Sequence, residues 1–114
     1  MSLLALSTST PAWCDWEPPV DLFEESDAFT LVIELPGVSQ SSINVVQSGR
    51  SVIITGVRAL HLEPGAHPHI EGDYGRFHRQ IELPAAVQAA RRDVSYTRGL
   101  LTIRLPKCPL LAST

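Results

Sequence analysis

A turn, an apolar strand and a terminating proline follow one another in Tyr96-Thr97-Arg98-Gly99-Leu100-Leu101-Thr102-Ile103-Arg104-Leu105-Pro106-Lys107. Leu101, Ile103 and Leu105 alternate with polar residues, and this alternation is typical of a strand with one buried face. The pair Arg98-Gly99 separates this strand from a short β-prone run before it, and two residues is the length of a tight hairpin turn. The stretch therefore predicts a β-hairpin.

The same alternation recurs along the chain between turn-forming residues. Strands are predicted at residues 20–25, 28–35, 43–46, 51–57, 77–83, 94–97 and 100–105. Residues 85–92 have a helix-friendly composition but are short and uncapped, which predicts an irregular loop or a single turn. At 114 residues, one domain is expected. The pattern predicts an all-β antiparallel sandwich of seven or eight short strands.

Composition narrows the classes of function. The first 49 residues hold seven acids and no base, whereas the rest holds five acids and nine bases, so the net charge is −3. We expect the two halves to pair with each other within or between subunits. The bases are scattered singly apart from Arg91-Arg92, so a nucleic-acid surface is not indicated. No run is long enough to span a membrane, and no leader is evident, so a cytoplasmic protein is expected.

Site chemistry is sparse. Three of the four histidines, His61, His67 and His69, lie in one Gly- and Pro-rich segment without a cysteine, which is a poor zinc set because zinc needs ligands fixed on rigid elements. Cys14 and Cys108 lie outside the strand-rich region, so a disulfide framework is not expected. No phosphate loop, dinucleotide fingerprint or nucleophile elbow occurs. We expect no enzyme, no metal and no cofactor.

An ordered series of short motifs resembles the small heat-shock proteins of the bacterial and plant type. The motifs are Leu35-Pro36-Gly37-Val38, then Val52, Ile54, Gly56 and Arg58, then Tyr74-Gly75-Arg76-Phe77-His78-Arg79, then Leu83-Pro84, and finally the opening hairpin with Pro106-Lys107. The resemblance implies an immunoglobulin-like antiparallel β-sandwich, the alpha-crystallin domain, over residues 20–107. It leaves a flexible N-terminal arm at 1–19 and a short tail at 108–114. Glu82 departs from the family pattern, which usually has an arginine there.

The resemblance implies an ATP-independent chaperone, or holdase, that binds partly unfolded proteins and prevents their aggregation under stress. The alternative is a β-sandwich module that docks on a larger chaperone, although such modules usually lack the long segment between residues 57 and 77. A metal-dependent enzyme on the histidine segment would require stoichiometric metal. Candidate client contacts lie on the arm and in a groove between two strands; they are Leu3, Leu4, Leu6, Trp13, Trp16, Ile43, Val45, Val46, Val94 and Tyr96. For the two tryptophans, packing against the domain is an equally weighted alternative.

Self-association is implied by the same segment. In the bacterial and plant members it carries an extra strand that pairs with the neighbouring subunit, and residues 67–71 occupy its place here. The expected dimer-interface residues are His67, His69, Ile70, Glu71, Tyr74 and Arg79. Larger family assemblies use a C-terminal I-x-I motif, whereas Leu110 and Leu111 are adjacent and point to opposite sides of an extended chain. We therefore expect a dimer or a small assembly.

Overall fold

Seven strands and two 3₁₀ turns make up the regular structure of residues 10–109. The computed structural model describes residues 10–109. The strands are β1 (Val20–Glu24), β2 (Ala28–Glu34), β3 (Asn44–Ser48), β4 (Ser51–Arg58), β5 (Gly75–Glu82), β6 (Asp93–Thr97) and β7 (Leu100–Pro106). The 3₁₀ turns are Gln40–Ser42 and Ala89–Arg91. The second of them lies within residues 85–92, where the sequence predicts an irregular loop or a single turn.

The strands form two antiparallel sheets. One has four strands in the order β1-β2-β7-β6, and the other has three in the order β3-β4-β5. This arrangement confirms the predicted antiparallel β-sandwich. Alternate residues of each strand point between the sheets, as the period of two requires. The core is made of apolar side chains from both sheets: Phe29, Leu31, Ile33, Val52, Ile54, Phe77, Ile81, Leu101, Ile103 and Leu105, all at most 2% exposed.

The predicted hairpin joins β6 to β7. Its two turn residues, Arg98 and Gly99, both have positive φ angles, of 54° and 78°. Positive φ at both central positions defines the type I′ turn, whose twist matches that of the flanking strands. The turn also contacts the segment that follows β2, because Leu35 donates its amide to the Gly99 carbonyl at 2.7 Å. The hairpin therefore holds the Leu35–Val38 turn in place.

Tyr96 fixes the same turn from the side. Its hydroxyl lies 2.5 Å from the Leu35 carbonyl oxygen and 2.8 Å from that of Val38. A phenol has one proton, so the two carbonyls share one donor. The ring is half-buried and packs against the core. Tyr96 thus ties β6 to the start of the connection that leads into the second sheet.

Tyr96→Phe is expected to lower the free energy of unfolding by about 1–3 kcal/mol, because both carbonyls lose their side-chain donor. The change removes one oxygen and leaves the ring packing intact. Urea unfolding followed by circular dichroism measures the difference. Tyr74→Phe is the matched control, since Tyr74 is half-buried and its hydroxyl makes no hydrogen bond with residues 10–109. Equal losses in the two variants would contradict this role of Tyr96.

Two segments differ from a plain alternating pattern. Strand β3 starts at Asn44 rather than Ile43, because Ile43 ends the preceding 3₁₀ turn and donates its amide to the Gln40 carbonyl at 3.1 Å. The connection from β4 to β5 is long and exposed over residues 59–73, and residues 67–71 form no strand within the single chain.

Among the residues that the structure describes, no helix is long and apolar enough to cross a membrane.

Candidate functional site

Two sheet edges are linked on one side of the sandwich, and we call the space between them the groove. Strand β3 is an edge of the three-stranded sheet, and β6 is an edge of the four-stranded sheet. The two edges lie close together, since Arg92, just before β6, places a guanidinium nitrogen 3.5 Å from the carbonyl oxygen of Val45 on β3. Among residues 10–109, each of these two strands pairs with a neighbour on one side only, so each presents backbone donors and acceptors to the groove.

Apolar side chains line this groove. Ile43, Val45 and Tyr96 are half-buried and pack against the core, and Val94 is 42% exposed. The side chains of Val94 and Tyr96 lie on the face of β6 that points between the sheets, because these residues pair with the buried Ile103 and Leu101 on β7. An extended peptide placed here could pair with a strand edge and insert alternate side chains between the sheets. The groove brings together four of the ten predicted client-contact residues.

Val46 lies on a different surface. Its neighbours Val45 and Gln47 point between the sheets, whereas Val46 is 55% exposed on the outer face of the three-stranded sheet. It lies opposite Ile53 on β4. Val46 is therefore an exposed apolar side chain next to the groove and outside its lining.

Trp16 packs against β5. Its ring centroid lies 5.3 Å from that of Phe77, and its indole nitrogen donates to the Gly75 carbonyl at 3.0 Å. The amides of Asp15 and Trp16 both point to the Arg76 carbonyl, at 2.8 and 3.2 Å. Of the two alternatives for this tryptophan, the structure shows packing on the domain. The segment around it covers the free edge of β5.

Trp13 packs on the outer face of the same strand. Its ring meets that of His78 edge to face, with centroids 5.6 Å apart, and it remains 42% exposed. Trp13 is thus in contact with the domain and is available to a partner as well. The other predicted arm contacts, Leu3, Leu4 and Leu6, lie outside the described residues.

Arg79 has a role that the sequence pattern did not predict. Its side chain is 12% exposed, and one guanidinium nitrogen donates to the Pro18 carbonyl at 2.7 Å. Its Nε lies 4.0 Å from a carboxylate oxygen of Glu17. These contacts fix the N-terminal segment where it crosses from β5 to β1. No local pattern could have indicated them, because the partners are 61 residues apart.

The remaining predicted interface residues lie in or beside the long connection. Tyr74 is half-buried, and the Arg58 guanidinium lies 4.6 Å from its ring centroid. His67, His69 and Glu71 are exposed, and Ile70 is 47% exposed. The structure therefore presents residues 67–71 on the surface, where another chain could reach them. Their place in a dimer stays a prediction.

Comparison with known proteins identifies the domain. A family model described as "Hsp20/alpha crystallin family" matches residues 21–111. This chain belongs to the Hsp20/alpha crystallin family. Among curated relatives, Heat shock protein 16 of Schizosaccharomyces pombe is 32% identical over 79% of this chain and 66% of its own length. Small heat shock protein C4 of Rickettsia felis is also 32% identical, over 79% of this chain and 56% of its own length.

Solved structures of family members support the same assignment. A small heat-shock protein from Xylella fastidiosa superposes with a TM-score of 0.77 at 31% identity, over 89% of this chain and 94% of that one, and it is described as having a distinct high order structure. Heat shock protein 16.0 of Schizosaccharomyces pombe gives a TM-score of 0.75 at 30% identity, over 81% and 87% of the two chains. The chain spans about a quarter to two thirds of the curated relatives' lengths, with 23% of a Dictyostelium discoideum heat shock protein as the lowest share of the three.

Glu82, the departure from the family's usual arginine, joins a polar chain on the outer face of β4 and β5. Ser51 donates its hydroxyl to a Glu82 carboxylate oxygen at 3.2 Å, and Gln80 donates its amide nitrogen to the Ser51 hydroxyl at 3.1 Å. Within residues 10–109, Glu82 takes part in no ion pair. At this position, Glu82 therefore accepts a charge-assisted hydrogen bond from the neighbouring strand.

The uneven charge of the two halves is matched within one chain. Each of the four ion pairs among the described residues joins an acid from the first half to a base from the second: Asp15–Arg76, Glu17–Arg79, Asp27–Arg104 and Glu24–Lys107. Most of these side chains are well exposed, so each pair contributes at most about 1 kcal/mol.

No group of three or more His, Cys, Asp or Glu side chains that could hold a metal occurs in the part of the chain described.

Proposed function

We propose that this family member is an ATP-independent holdase that binds partly unfolded proteins in the cytoplasm and keeps them from aggregating. The observation that supports it best is the groove between β3 and β6. It combines two strand edges with the apolar side chains of Val45, Val94 and Tyr96. Partly unfolded chains expose the complementary features, which are extended backbone and apolar side chains.

The physical basis of such capture is reversible burial. An extended client segment gains backbone hydrogen bonds at a strand edge and removes apolar surface from water. The hydrogen bonds and the apolar burial both contribute to a reversible binding free energy. A holdase of this kind therefore needs no nucleotide. Binding an unfolded chain also lowers the concentration of free chain that can aggregate.

The same proposal includes a homodimer formed by strand exchange. Strand β1 is an edge of the four-stranded sheet and carries Phe23, which is 55% exposed. An exposed edge strand is a template for pairing with another chain. The exposed segment 67–71 of a second copy is the candidate strand, and Ile70 is its apolar anchor. Strand addition by this segment would cover the free edge of β1.

Aggregation of a heat-labile client tests the holdase proposal. With no ATP present, an equimolar amount of this protein is expected to suppress light scattering by the heated client. Val94→Asp is expected to weaken the suppression, because it places a charge in the groove. Leu100→Asp is the matched control: Leu100 is 43% exposed, almost the same as Val94, but it lies on the opposite parity of the neighbouring strand.

The results answer two separate questions: whether the protein is a holdase, and whether the client binds in the groove. Unchanged scattering with equimolar wild-type protein would overturn the holdase proposal and would favour a module that docks on a larger chaperone. Full suppression by wild type, Val94→Asp and Leu100→Asp alike would retain the holdase and exclude the groove as its main contact. The circular dichroism of each variant is compared with wild type to show that the sandwich is retained.

A further inference from the structure

The outer face of the three-stranded sheet carries three apolar side chains among its polar ones. On β4, Ile53, Thr55 and Val57 share the outward parity, because Val52 and Ile54 point into the core. Val46 on β3 lies opposite Ile53 and extends the same surface. Val46 is 55% exposed and Val57 is 42% exposed. Solvent-facing sides of antiparallel sheets are normally polar, so this surface is a candidate for being covered.

The N-terminal segment already covers one part of this face. His78 on β5 lies opposite Thr55 and next to the buried Phe77, so its parity is outward. It is nevertheless only 9% exposed. The Trp13 ring packs against it with centroids 5.6 Å apart, and the Arg76 guanidinium lies 5.8 Å from the Trp13 centroid. We use the name outer patch for four side chains on this face: Val46, Ile53, Val57 and Trp13.

The chain direction at Trp13 allows the segment before it to reach the rest of the patch. Cys14 donates its amide to the Pro11 carbonyl at 3.1 Å, so the chain reverses here and does not continue along the β5 edge. Six residues lie between Leu6 and Trp13, and the five steps from Leu6 to Pro11, where the turn begins, span up to about 17 Å when extended. Three adjacent strands are only about 10 Å across from the first axis to the third. Leu6 and the leucines before it can therefore reach Val46 and Ile53.

We propose that Leu3, Leu4 and Leu6 of residues 1–9 dock on the outer patch of their own chain. Trp13 is the inner anchor of this contact, and the leucines cover Ile53 and Val46 beyond it. The chemistry is apolar burial, since leucine side chains match a surface of valine, isoleucine and indole. This inference concerns the arm and the sheet alone and does not depend on the holdase proposal.

Methyl NMR of the full-length protein tests the docking. Isoleucine δ1 methyls are labelled, and a soluble gadolinium chelate reports how much solvent each methyl meets. The triple variant Leu3→Ser, Leu4→Ser, Leu6→Ser is expected to raise the relaxation of the Ile53 methyl severalfold. The triple variant Ser7→Ala, Thr8→Ala, Ser9→Ala is the matched control and is expected to leave it unchanged. Ile103, which is fully buried, reports that the fold is retained, and Ile70 reports an exposed methyl outside the patch.

Two results would overturn the proposal. The first is an Ile53 methyl that relaxes equally in the wild type and in the leucine variant while Ile103 is unchanged. The second comes from mixing labelled wild-type chains with unlabelled chains that carry a nitroxide on Ser2→Cys, in a background of Cys14→Ser and Cys108→Ser. Broadening of Ile53 in that mixture would place the arm on a second copy instead. Broadening only when label and nitroxide are on the same chain supports the proposal.

Discussion

Phe77→Ala is expected to lower the free energy of unfolding by about 3–5 kcal/mol, which is the usual cost of removing a buried aromatic ring. The Phe77 ring is fully buried between Gly56 and Trp16. A methyl group built on Gly56 would come within 2.5 Å of the ring, so the ring occupies the space that the glycine leaves. Its removal would leave a cavity that the neighbouring backbone cannot fill without moving two strands.

Urea unfolding measures this loss, and Phe23→Ala is the matched control. Phe23 is 55% exposed on the outer face of β1, so its removal is expected to cost less than about 1 kcal/mol. Both are measured at several protein concentrations, because dimerisation makes apparent stability depend on concentration. Phe77→Leu, with a smaller cavity, gives an intermediate value if Phe77→Ala does not fold. Equal losses for the Phe77 and Phe23 variants would contradict the central position of this ring.

Deletion of residues 67–72 is expected to convert dimers into monomers, because it removes the segment proposed to pair with the free edge of β1. The deletion leaves ten residues between Arg58 at the end of β4 and Gly75 at the start of β5. Two adjacent antiparallel strands need only about 2–5 residues to connect them, so the domain should still fold. Sedimentation at micromolar concentration measures the change in mass.

Deletion of residues 60–65 is the matched control for this experiment. It shortens the same connection by the same length but keeps the proposed strand, so the variant is expected to remain dimeric. A 67–72 deletion variant that sediments as a dimer would refute strand exchange through this segment. A wild-type chain that sediments as a monomer under the same conditions would refute the dimer itself.

Local patterns were sufficient to predict most of the fold. In β2, Phe29, Leu31 and Ile33 are fully buried, as their alternation with polar or half-buried neighbours predicts. The Arg98-Gly99 pair forms the two-residue turn that its spacing predicts. These features depend on residues within a few positions of each other, and the period of two specifies which side chains share a face. The resemblance to the small heat-shock proteins rested on the order of such local motifs, and the family match confirms it.

Alternation could not specify the partners of the N-terminal segment. The sequence pattern places Trp13 and Trp16 in the N-terminal segment and His78 on the polar face of a later strand, with no sign that they meet. In the structure, Trp16 packs on Phe77 and Trp13 packs on His78. Arg79 holds the Pro18 carbonyl across 61 residues of chain. Such contacts depend on where β5 lies relative to the start of β1. The position of β5 relative to β1 follows from the packing of the two sheets. The residue pattern of neither segment indicates it.

By itself, the sequence determined the strands, their buried faces, the tight hairpin and the family, because each of these depends on neighbouring residues or on their order. Tertiary structure decided that β2 pairs with β7, with Ala28 opposite Pro106, and that Arg92, just before β6, contacts the Val45 carbonyl on β3. It also decided that Val45 lines the groove while Val46 belongs to the outer face. The physical reason is that a period of two assigns a side chain to one face of its own strand, whereas the neighbouring strand and the facing sheet are chosen by the packing of the whole core.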